Sequence, residues 1–238
     1  MPTVDRTQPL RIAILEAGSP PARLGDRFST YGAMTARLLG SEHACTVFDA
    51  RAGHLPDRAE AFEACAITGS AAGVNDSLPW IATLVGFLRA LPTDTKCVGL
   101  CFGHQIMAEA FGGRVENVGW GLGLHTYDVV ARAPYTDDVA RIVVPVTHQD
   151  QVVERPPGAR VLAGSRFTPN GVLAYADRAA LSCQCHPEFE PDFFRALTEG
   201  HRAGKDDPDL ARAAMASLAA SDDRARVGAW IRRFLAEA

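Results

Sequence analysis

The stretch that decides the fold is KCVGLCFGHQIMAEAFGG, residues 96–113. It runs from a short apolar segment, through a cysteine between two glycines, into a helical pattern that ends at a glycine pair. The form glycine–x–nucleophile–x–glycine, between a strand and a helix, holds a side chain exposed on a strained turn. The pattern therefore predicts a strand, a sharp turn at Cys101 and a helix. On these five residues alone, a buried cysteine under a turn is equally compatible.

Length and composition exclude several classes of protein. Apolar residues make up 47% and charged residues 22% of the 238 residues, which is typical of a globular protein that folds without metal or disulfide staples. Acidic residues outnumber basic ones 28 to 24, and no basic cluster is present, so nucleic acid is not expected as a partner. The sequence shows neither a signal peptide nor an apolar run that could cross a membrane. The six cysteines are therefore expected to be reduced thiols of a cytoplasmic protein.

The first half of the chain alternates between short apolar segments and helical patterns. The segments are apolar throughout, which indicates parallel strands covered on both faces by helices. The helix predicted at 76–91 is expected to have Asp76 or Ser77 as its N-cap and Pro79 in its first turn. The predicted strands are 10–18, 44–50, 63–70 and 96–100, and the predicted helices are 27–40, 76–91 and the segment after Cys101.

From about residue 114 the pattern changes, because glycines and prolines interrupt short β-like segments. This texture predicts a small antiparallel extension, and residues 171–189 are expected to form a hairpin that returns to the sheet. Helical patterns follow from Pro191, with a polar break at 203–209. The fold class is therefore a single α/β domain over residues 1–238, with a mostly parallel central sheet flanked by helices. Its core covers about 10–195, and a helical C-terminal cap covers about 196–238.

A thiol nucleophile needs a base, and the base needs a group that orients it. The segment SCQCHPEF (182–189) offers both, because the proline between His186 and Glu188 forces His186 into an extended conformation. In an extended segment, residues two positions apart project to the same face. His186 and Glu188 are therefore expected to lie side by side, while Cys183 and Cys185 face away into packing. Without the turn at residue 101, an ordinary loop histidine would be the better interpretation.

The other cysteines and histidines suggest no metal site. The grouping of Cys183, Cys185 and His186 matches no usual zinc spacing, and strand alternation divides it between two faces. The three remaining thiols lie in or beside apolar strands and are expected in the core: Cys45, Cys65 and Cys97.

Three motifs in this order, ITGS (67–70), GLCFGHQ (99–105) and HPE (186–188), resemble those of class I glutamine amidotransferases. The similarity is greatest to the glutaminase domain of GMP synthetase and its stand-alone relatives. It runs from Ile12 to about Phe194 and includes THQDQV, which is similar to the S-H-x-D-x-V stretch of the family. The resemblance implies a flavodoxin-like α/β fold and an amidase site that uses no metal or organic cofactor.

The resemblance also implies a role for individual residues. The nucleophile, the base and the residue that orients the base would be Cys101, His186 and Glu188. The backbone amides of Gly69 and Phe102 would form the oxyanion hole, and Gln105 would line the substrate pocket. Residues 147–150 would give backbone contacts to the substrate. Thr68 stands where the family usually has the first glycine of the oxyanion loop, a departure that is expected to alter the backbone angles of the loop.

The implied reaction is acyl transfer from a glutamine side-chain amide to the cysteine and then to water. About fifty residues follow Glu188, too few for a synthetase domain, and no phosphate-binding glycine loop is evident. Two enzymatic interpretations follow. The protein is either a glutaminase that passes ammonia to a separate synthetase, or a free-standing enzyme that acts on γ-glutamyl amides or peptides. A third interpretation is a catalytically idle binding or regulatory module, against which the intact cysteine, histidine and glutamate argue.

Overall fold

A computed structural model describes residues 9–237 of the protein. The sequence predicts no signal peptide. This prediction concerns an N-terminal segment that includes residues 1–8, which lie outside the described part. The limits proposed for the core and the cap remain predictions. Within the described range, nine strands form one sheet. They are β1 (Arg11–Glu16), β2 (Ala44–Asp49), β3 (Ala64–Ile67), β4 (Lys96–Leu100), β5 (Arg114–Val129), β6 (Arg141–Glu154), β7 (Ala159–Gly164), β8 (Val172–Tyr175) and β9 (Ala180–Cys183).

One half of the sheet is parallel, and it contains every strand predicted from the first half of the chain. Its strands lie in the order β2-β1-β3-β4-β9, with all neighbours paired in parallel. The strand predictions for this half are confirmed: β4 has the predicted bounds, whereas β1, β2 and β3 are shorter than the apolar segments that indicated them. The edge strand β2 is mostly exposed or half-buried, in contrast to the expected burial on both faces, because only β1 pairs with it.

The other half of the sheet is antiparallel and continues directly from β9 through β8, β7 and β5 to β6. The predicted hairpin is confirmed, since β8 and β9 pair antiparallel and β9 joins the parallel half through β4. The extension is larger than expected, because β5 and β6 have 16 and 14 residues. Strand β5 contains glycines at positions where the sequence pattern predicts breaks between short strands. Gly119 and Gly123 adopt positive φ there, at +92° and +100°, beside a shift in register between Asn117 and Gly121.

Eight α-helices are present in the described range. They are α1 (Ala22–Gly25), α2 (Tyr31–Leu39), α3 (Pro79–Ala90), α4 (Phe102–Ala110), α5 (Pro191–Glu199), α6 (Ala203–Asp206), α7 (Pro208–Ser217) and α8 (Arg224–Ala236). The predicted N-cap of α3 is wrong, since Leu78 occupies that position and makes no side-chain cap. Asp76 instead accepts a hydrogen bond from the Gly73 amide at 2.9 Å and closes the preceding loop. None of these helices has both the length and the apolar character needed to cross a membrane.

The helices cover both faces of the sheet, as alternation along β1 demonstrates. Ile12 and Ile14 belong to one apolar cluster, which includes Leu38 and Leu39 of α2 and Trp230 of α8. The neighbouring Ala13 and Leu15 belong to a second cluster, which includes residues of α3 and α4: Leu84, Leu88, Ile106 and Met107. Because strand side chains alternate between faces, the two clusters lie on opposite sides of the sheet. This packing fixes the end of β4, from which α4 begins.

Candidate active site

The turn between β4 and α4 has the strained backbone that the sequence predicts. Cys101 has φ 51° and ψ −102°, and it is the one non-glycine residue with positive φ between residues 9 and 237. Its amide donates to the Cys183 carbonyl at 2.9 Å, and its carbonyl accepts from the Gln105 amide at 3.0 Å. Such a conformation costs about 1–3 kcal/mol and persists only where the surroundings impose it. The flanking structure therefore holds Cys101 in place from both sides.

The glycines on each side of Cys101 are required by close backbone contacts. A Cβ added to Gly99 would lie 2.6 Å from the carbonyl of Gly103. A Cβ added to Gly103 would lie 2.3 Å from the carbonyl of Ile67, at the end of β3. Both distances are shorter than any tolerated contact, so any other residue would move the turn. These glycines bring the first turn of α4 against the loop that follows β3.

The sulfur of Cys101 is almost buried and has two polar neighbours. It lies 3.8 Å from the carbonyl oxygen of Thr147, and the Gln184 side chain donates to it from Nε2 at 3.6 Å. Gln184 was not predicted as a site residue. The signal was available, because Gln184 lies two positions before His186 in an extended segment and so shares its face.

Gln105 connects three parts of the site. Its Nε2 donates to the Asp150 carbonyl at 2.7 Å and to Gln184 Oε1 at 3.2 Å. These bonds join the first turn of α4 to β6 and to the segment after β9. Gln105 also lines the cavity into which Cys101 opens.

His186 and Glu188 lie on one face, which confirms the prediction from the intervening proline. His186 Nδ1 is 2.8 Å from Glu188 Oε1, and both side chains are buried. The imidazole stacks on the ring of Phe189 with centroids 4.1 Å apart and an angle of 7°. The His186 amide donates to the Pro145 carbonyl at 2.9 Å. The ring is therefore fixed by a carboxylate on one edge and an aromatic ring on one face.

The free ring nitrogen of His186 is available for proton transfer. His186 Nε2 is buried and has no hydrogen-bond partner within residues 9–237. Burial alone lowers the pKa of His186, but the charges of Cys101 and Glu188 outweigh burial and raise that pKa well above its usual value. The surroundings therefore favour the protonated form of His186 beside Cys101. A histidine next to a cysteine is the pairing that activates thiol nucleophiles.

Gly69 lies against both the cysteine and the histidine. A Cβ added there would be 3.0 Å from His186 Cε1 and 3.8 Å from Cys101 Cβ. The amides of Gly69 and Phe102 have no acceptor in the described part of the chain, so both are available to a bound group. Thr68 does not adopt positive φ. Its hydroxyl accepts from the Ala17 amide at 2.9 Å and donates to the Gly69 carbonyl at 3.0 Å, which ties the loop to the end of β1.

The other five thiols differ from Cys101 in their surroundings. Cys183 and Cys185 are buried in the apolar core, as predicted, and hydrogen bonding to Cys185 together with burial raises the pKa of Cys183. Cys65 and Cys97 are also buried, whereas Cys45 is half-buried on the edge strand β2, contrary to the expected core position. All six cysteines are free of disulfides. Within the described range, no three His, Cys, Asp or Glu side chains are grouped as a metal site.

A cavity of about 400 Å³ extends from Cys101 and His186 to the segment between α5 and α6. At this distant end, the Arg202 guanidinium lies 5.0 Å from the centre of the Trp120 ring. The ring of His201 meets Trp120 edge-on, with centroids 4.6 Å apart, and His201 Nε2 is 3.1 Å from Thr147 Oγ1. Trp120, His201 and Arg202 are named here the cap end of the cavity. None of the three was predicted as a site residue.

Comparison with known proteins identifies the family. Residues 45–196 match the family model Glutamine amidotransferase class-I. A glutamine amidotransferase-like protein of Schizosaccharomyces pombe is 29% identical, over 79% of this chain and 83% of that protein. Gamma-glutamyl peptidase 4 of Arabidopsis thaliana is 31% identical, over 72% of this chain and 76% of that protein. A GMP synthase of Thermus thermophilus is 36% identical, over 42% of this chain but only 20% of that protein.

Solved structures support the same fold. A glutamine amidotransferase from Thermotoga maritima superposes with a TM-score of 0.76 at 15% identity, over 95% of this chain and 98% of the other. One from Methylobacillus flagellatus superposes with a TM-score of 0.72 at 20% identity, over 96% and 94%. The chain belongs to the class I glutamine amidotransferases, a family of hydrolytic enzymes.

Proposed function

We propose that the protein is a cysteine-dependent amidohydrolase that cleaves the γ-carboxamide of glutamine or of γ-glutamyl amides. One observation carries this proposal: a strained turn holds Cys101 beside a histidine whose Nδ1 is 2.8 Å from Glu188 Oε1. A thiol, a base and a carboxylate that orients the base are the parts needed for amide hydrolysis through a covalent intermediate.

In the first half of the reaction, the sulfur of Cys101 attacks the γ-carbonyl carbon, and His186 holds the thiol proton. The carbonyl oxygen becomes an oxyanion that accepts hydrogen bonds from the Gly69 and Phe102 amides. His186 then donates the proton from Nε2 to the leaving nitrogen. The carbon–nitrogen bond breaks, the amine departs, and a γ-glutamyl thioester remains on Cys101.

In the second half, water attacks the thioester carbon and gives a proton to His186 Nε2. The carbon–sulfur bond breaks, glutamate departs, and the thiolate and imidazolium are restored. Glu188 accepts from His186 Nδ1 throughout, which keeps Nε2 directed at the sulfur and stabilises the imidazolium. The Gln184 amide, 3.6 Å from the sulfur, adds a hydrogen bond to the thiolate.

Of the two enzymatic interpretations, the free-standing γ-glutamyl hydrolase has the stronger support. The similarity to a gamma-glutamyl peptidase extends over 76% of that protein, whereas the similarity to a GMP synthase extends over only 20%. The cavity of about 400 Å³ is also in the size range that holds ligands larger than glutamine. The GMP synthase relatives keep a second candidate open, a glutaminase that supplies ammonia to a separate synthetase. The preserved geometry of all three reacting residues argues against an idle module.

The decisive experiment measures ammonia, amine and glutamate released by the purified protein from glutamine and from several γ-glutamyl dipeptides. We expect Cys101→Ala to lower turnover by at least about 10³-fold, because the covalent step is lost. The fold should persist, since alanine is small. Cys45→Ala is the matched control, because Cys45 lies on the edge strand away from the cavity. Near wild-type turnover by Cys101→Ala would reject the mechanism.

A further inference from the structure

The cap end of the cavity has a chemical character that hydrolysis of glutamine alone does not require. It combines an indole ring, an imidazole and a guanidinium, supplied by Trp120, His201 and Arg202. Glutamine leaves only ammonia when its side-chain amide is cleaved, and ammonia needs neither an aromatic wall nor a cation. The cavity therefore provides volume and polar side chains that a glutamyl group alone does not require.

The leaving group of the reaction starts on the same side as the cap end. The leaving nitrogen must take its proton from His186, whose ring stacks on Phe189. Phe189 in turn packs edge-on against Phe193 of α5, with centroids 4.7 Å apart. Helix α5 leads directly into His201 and Arg202. A group attached to the leaving nitrogen would thus extend from His186 along the α5 side of the cavity.

The cap end is electropositive. Burial, together with the nearby guanidiniums of Arg202 and Arg23, lowers the pKa of His201 to about 4, so His201 is neutral and the arginines supply the charge. Arg23 is already committed, since it donates to the Ala196 and Leu197 carbonyls at the end of α5. Arg202 has no comparable acceptor in the described part of the chain. Its guanidinium is held over Trp120 and is ready to pair with an anion.

The cavity lining also carries a carboxylate, Asp150, whose pKa is raised by burial and which lies near enough to Arg202 for that guanidinium to oppose the rise in pKa. Asp150 lines the cavity near Gly73, where an added Cβ would lie 2.7 Å from Asp150 Oδ2, and Asp76 is close by. A cavity lined by both a carboxylate and a guanidinium is suited to a substrate that carries both an ammonium group and a carboxylate. The α-ammonium of the glutamyl group matches Asp150.

We propose that the cap end is a leaving-group subsite, in which Arg202 pairs with a carboxylate on the amine that departs. The substrate class is then γ-glutamyl amino acids and short γ-glutamyl peptides. This inference rests on the proposed function and narrows it. The products are glutamate and an amino acid or peptide, released by hydrolysis with one water molecule and no other reactant.

The test compares two substrates that differ only in the leaving-group carboxylate, γ-glutamylglycine and γ-glutamylmethylamide. We expect the wild-type ratio of their kcat/KM values to favour γ-glutamylglycine, and Arg202→Gln to lower that ratio by about tenfold, the effect of one charged hydrogen bond. Arg202→Lys should retain part of the ratio because it keeps the charge. The control is Arg212→Gln on α7, which is exposed and pairs with Asp209 outside the cavity and should leave the ratio unchanged.

Two kinetic results would overturn the subsite. An unchanged ratio in Arg202→Gln would mean that Arg202 does not contact the leaving group. An equal loss on both substrates and on glutamine would mean that Arg202 binds the glutamyl carboxylate instead. Binding separates these failures from a failure of the proposed reaction. In Cys101→Ala, the Kd of γ-glutamylglycine should rise about tenfold on adding Arg202→Gln, while the Kd of γ-glutamylmethylamide should rise far less. Equal Kd changes would reject the subsite whether or not the wild type is active.

Discussion

The two ends of the cavity are built in different ways. At the cysteine end, Cys101, His186 and Glu188 are buried and held by short hydrogen bonds from neighbouring backbone and side chains. At the cap end, Trp120 and Arg202 come from β5 and from beyond α5, and a ring contact of 5.0 Å joins them. At the first end local sequence sets the conformation of each residue, whereas the second end depends on tertiary packing alone. The difference suggests that the chemistry is set at the first end and the selectivity at the second.

The largest effect should come from the base at the cysteine end. His186→Ala should lower kcat/KM by about 10³–10⁴-fold, because it removes the proton acceptor of both half-reactions. Glu188→Gln should cost less, about 10–10²-fold, since the amide oxygen can still accept from His186 Nδ1 but stabilises the imidazolium poorly. Steady-state kinetics on a γ-glutamyl dipeptide measures both.

The control is His54→Ala, an exposed histidine outside the cavity, which should retain full activity. If His186→Ala and Glu188→Gln lost equal activity, or if Glu188→Gln lost none, Glu188 would not orient the histidine. Glu188 would then no longer count among the groups that hold the cysteine end of the cavity in place.

The next largest effect should come from the glycine that touches both reacting side chains. In Gly69→Ala, the added Cβ lies 3.0 Å from His186 Cε1 and must displace the imidazole by a few tenths of an ångström. Since misplacement of a catalytic group by about 1 Å can cost about 10²-fold, we expect a loss of about 10–10²-fold in kcat. Gly86→Ala in α3 is the control, because its Cβ would meet no atom within 4 Å. Full activity in Gly69→Ala would show that the turn tolerates more freedom than the geometry indicates.

The cysteine end could be predicted because each of its features is written into a few adjacent residues. Gly99 and Gly103 mark the turn at Cys101, and the proline after His186 directs that histidine and Glu188 to one face. The parallel half of the sheet was predictable for the same reason, since its strands are uninterrupted apolar segments. Local sterics determine these features, and local sequence records them.

The cap end could not be predicted in this way. Trp120 lies in a strand that contains Gly119 at φ +92°, and the positive-φ glycines of that strand resemble chain breaks. His201 and Arg202 lie just before a short helix, α6. That helix falls within residues 203–209, where the sequence predicts a polar break. The contact of His201 and Arg202 with Trp120 depends on how α5 packs against α7 and α7 against β5, which is a long-range property. Only Gln184, two positions before His186, was missed despite a local signal.

The cysteines should also differ in their rates of alkylation. A mild alkylating agent near neutral pH should modify Cys101 about tenfold faster than Cys45, because Cys101 lies at a helix N-terminus beside His186, the surroundings in which reactive cysteines occur. Cys45 is the relevant competitor, since it is more exposed, but burial and Glu42 raise its pKa. Peptide mapping after brief labelling gives the order of reaction. Early labelling of Cys183 or Cys185 would contradict their burial, and no labelling of Cys101 before unfolding would reduce the turn to a structural feature.

The smallest expected effect is a change in stability with pH. It concerns two histidines of the same cavity whose pKa values are shifted in opposite directions. His186 has a raised pKa, so it should keep its proton above pH 6.5, and Cys101→Ala should lower its pKa by removing the thiolate charge. His201 has a pKa of about 4, so it should stay neutral down to that pH. Because an unfolded histidine takes up a proton near pH 6.5, His201 should reduce the free energy of unfolding as the pH falls from about 6.5 to 4.

The imidazole resonances of His186 and His201 in an NMR titration report the two pKa values directly. Denaturant midpoints at pH 7 and pH 5 report the stability effect, and His201→Gln should narrow the difference between the two midpoints. A normal pKa for His201 would contradict both its burial and the nearness of the Arg202 and Arg23 guanidiniums. A His186 pKa that did not respond to Cys101→Ala would contradict the electrostatic coupling between His186 and Cys101.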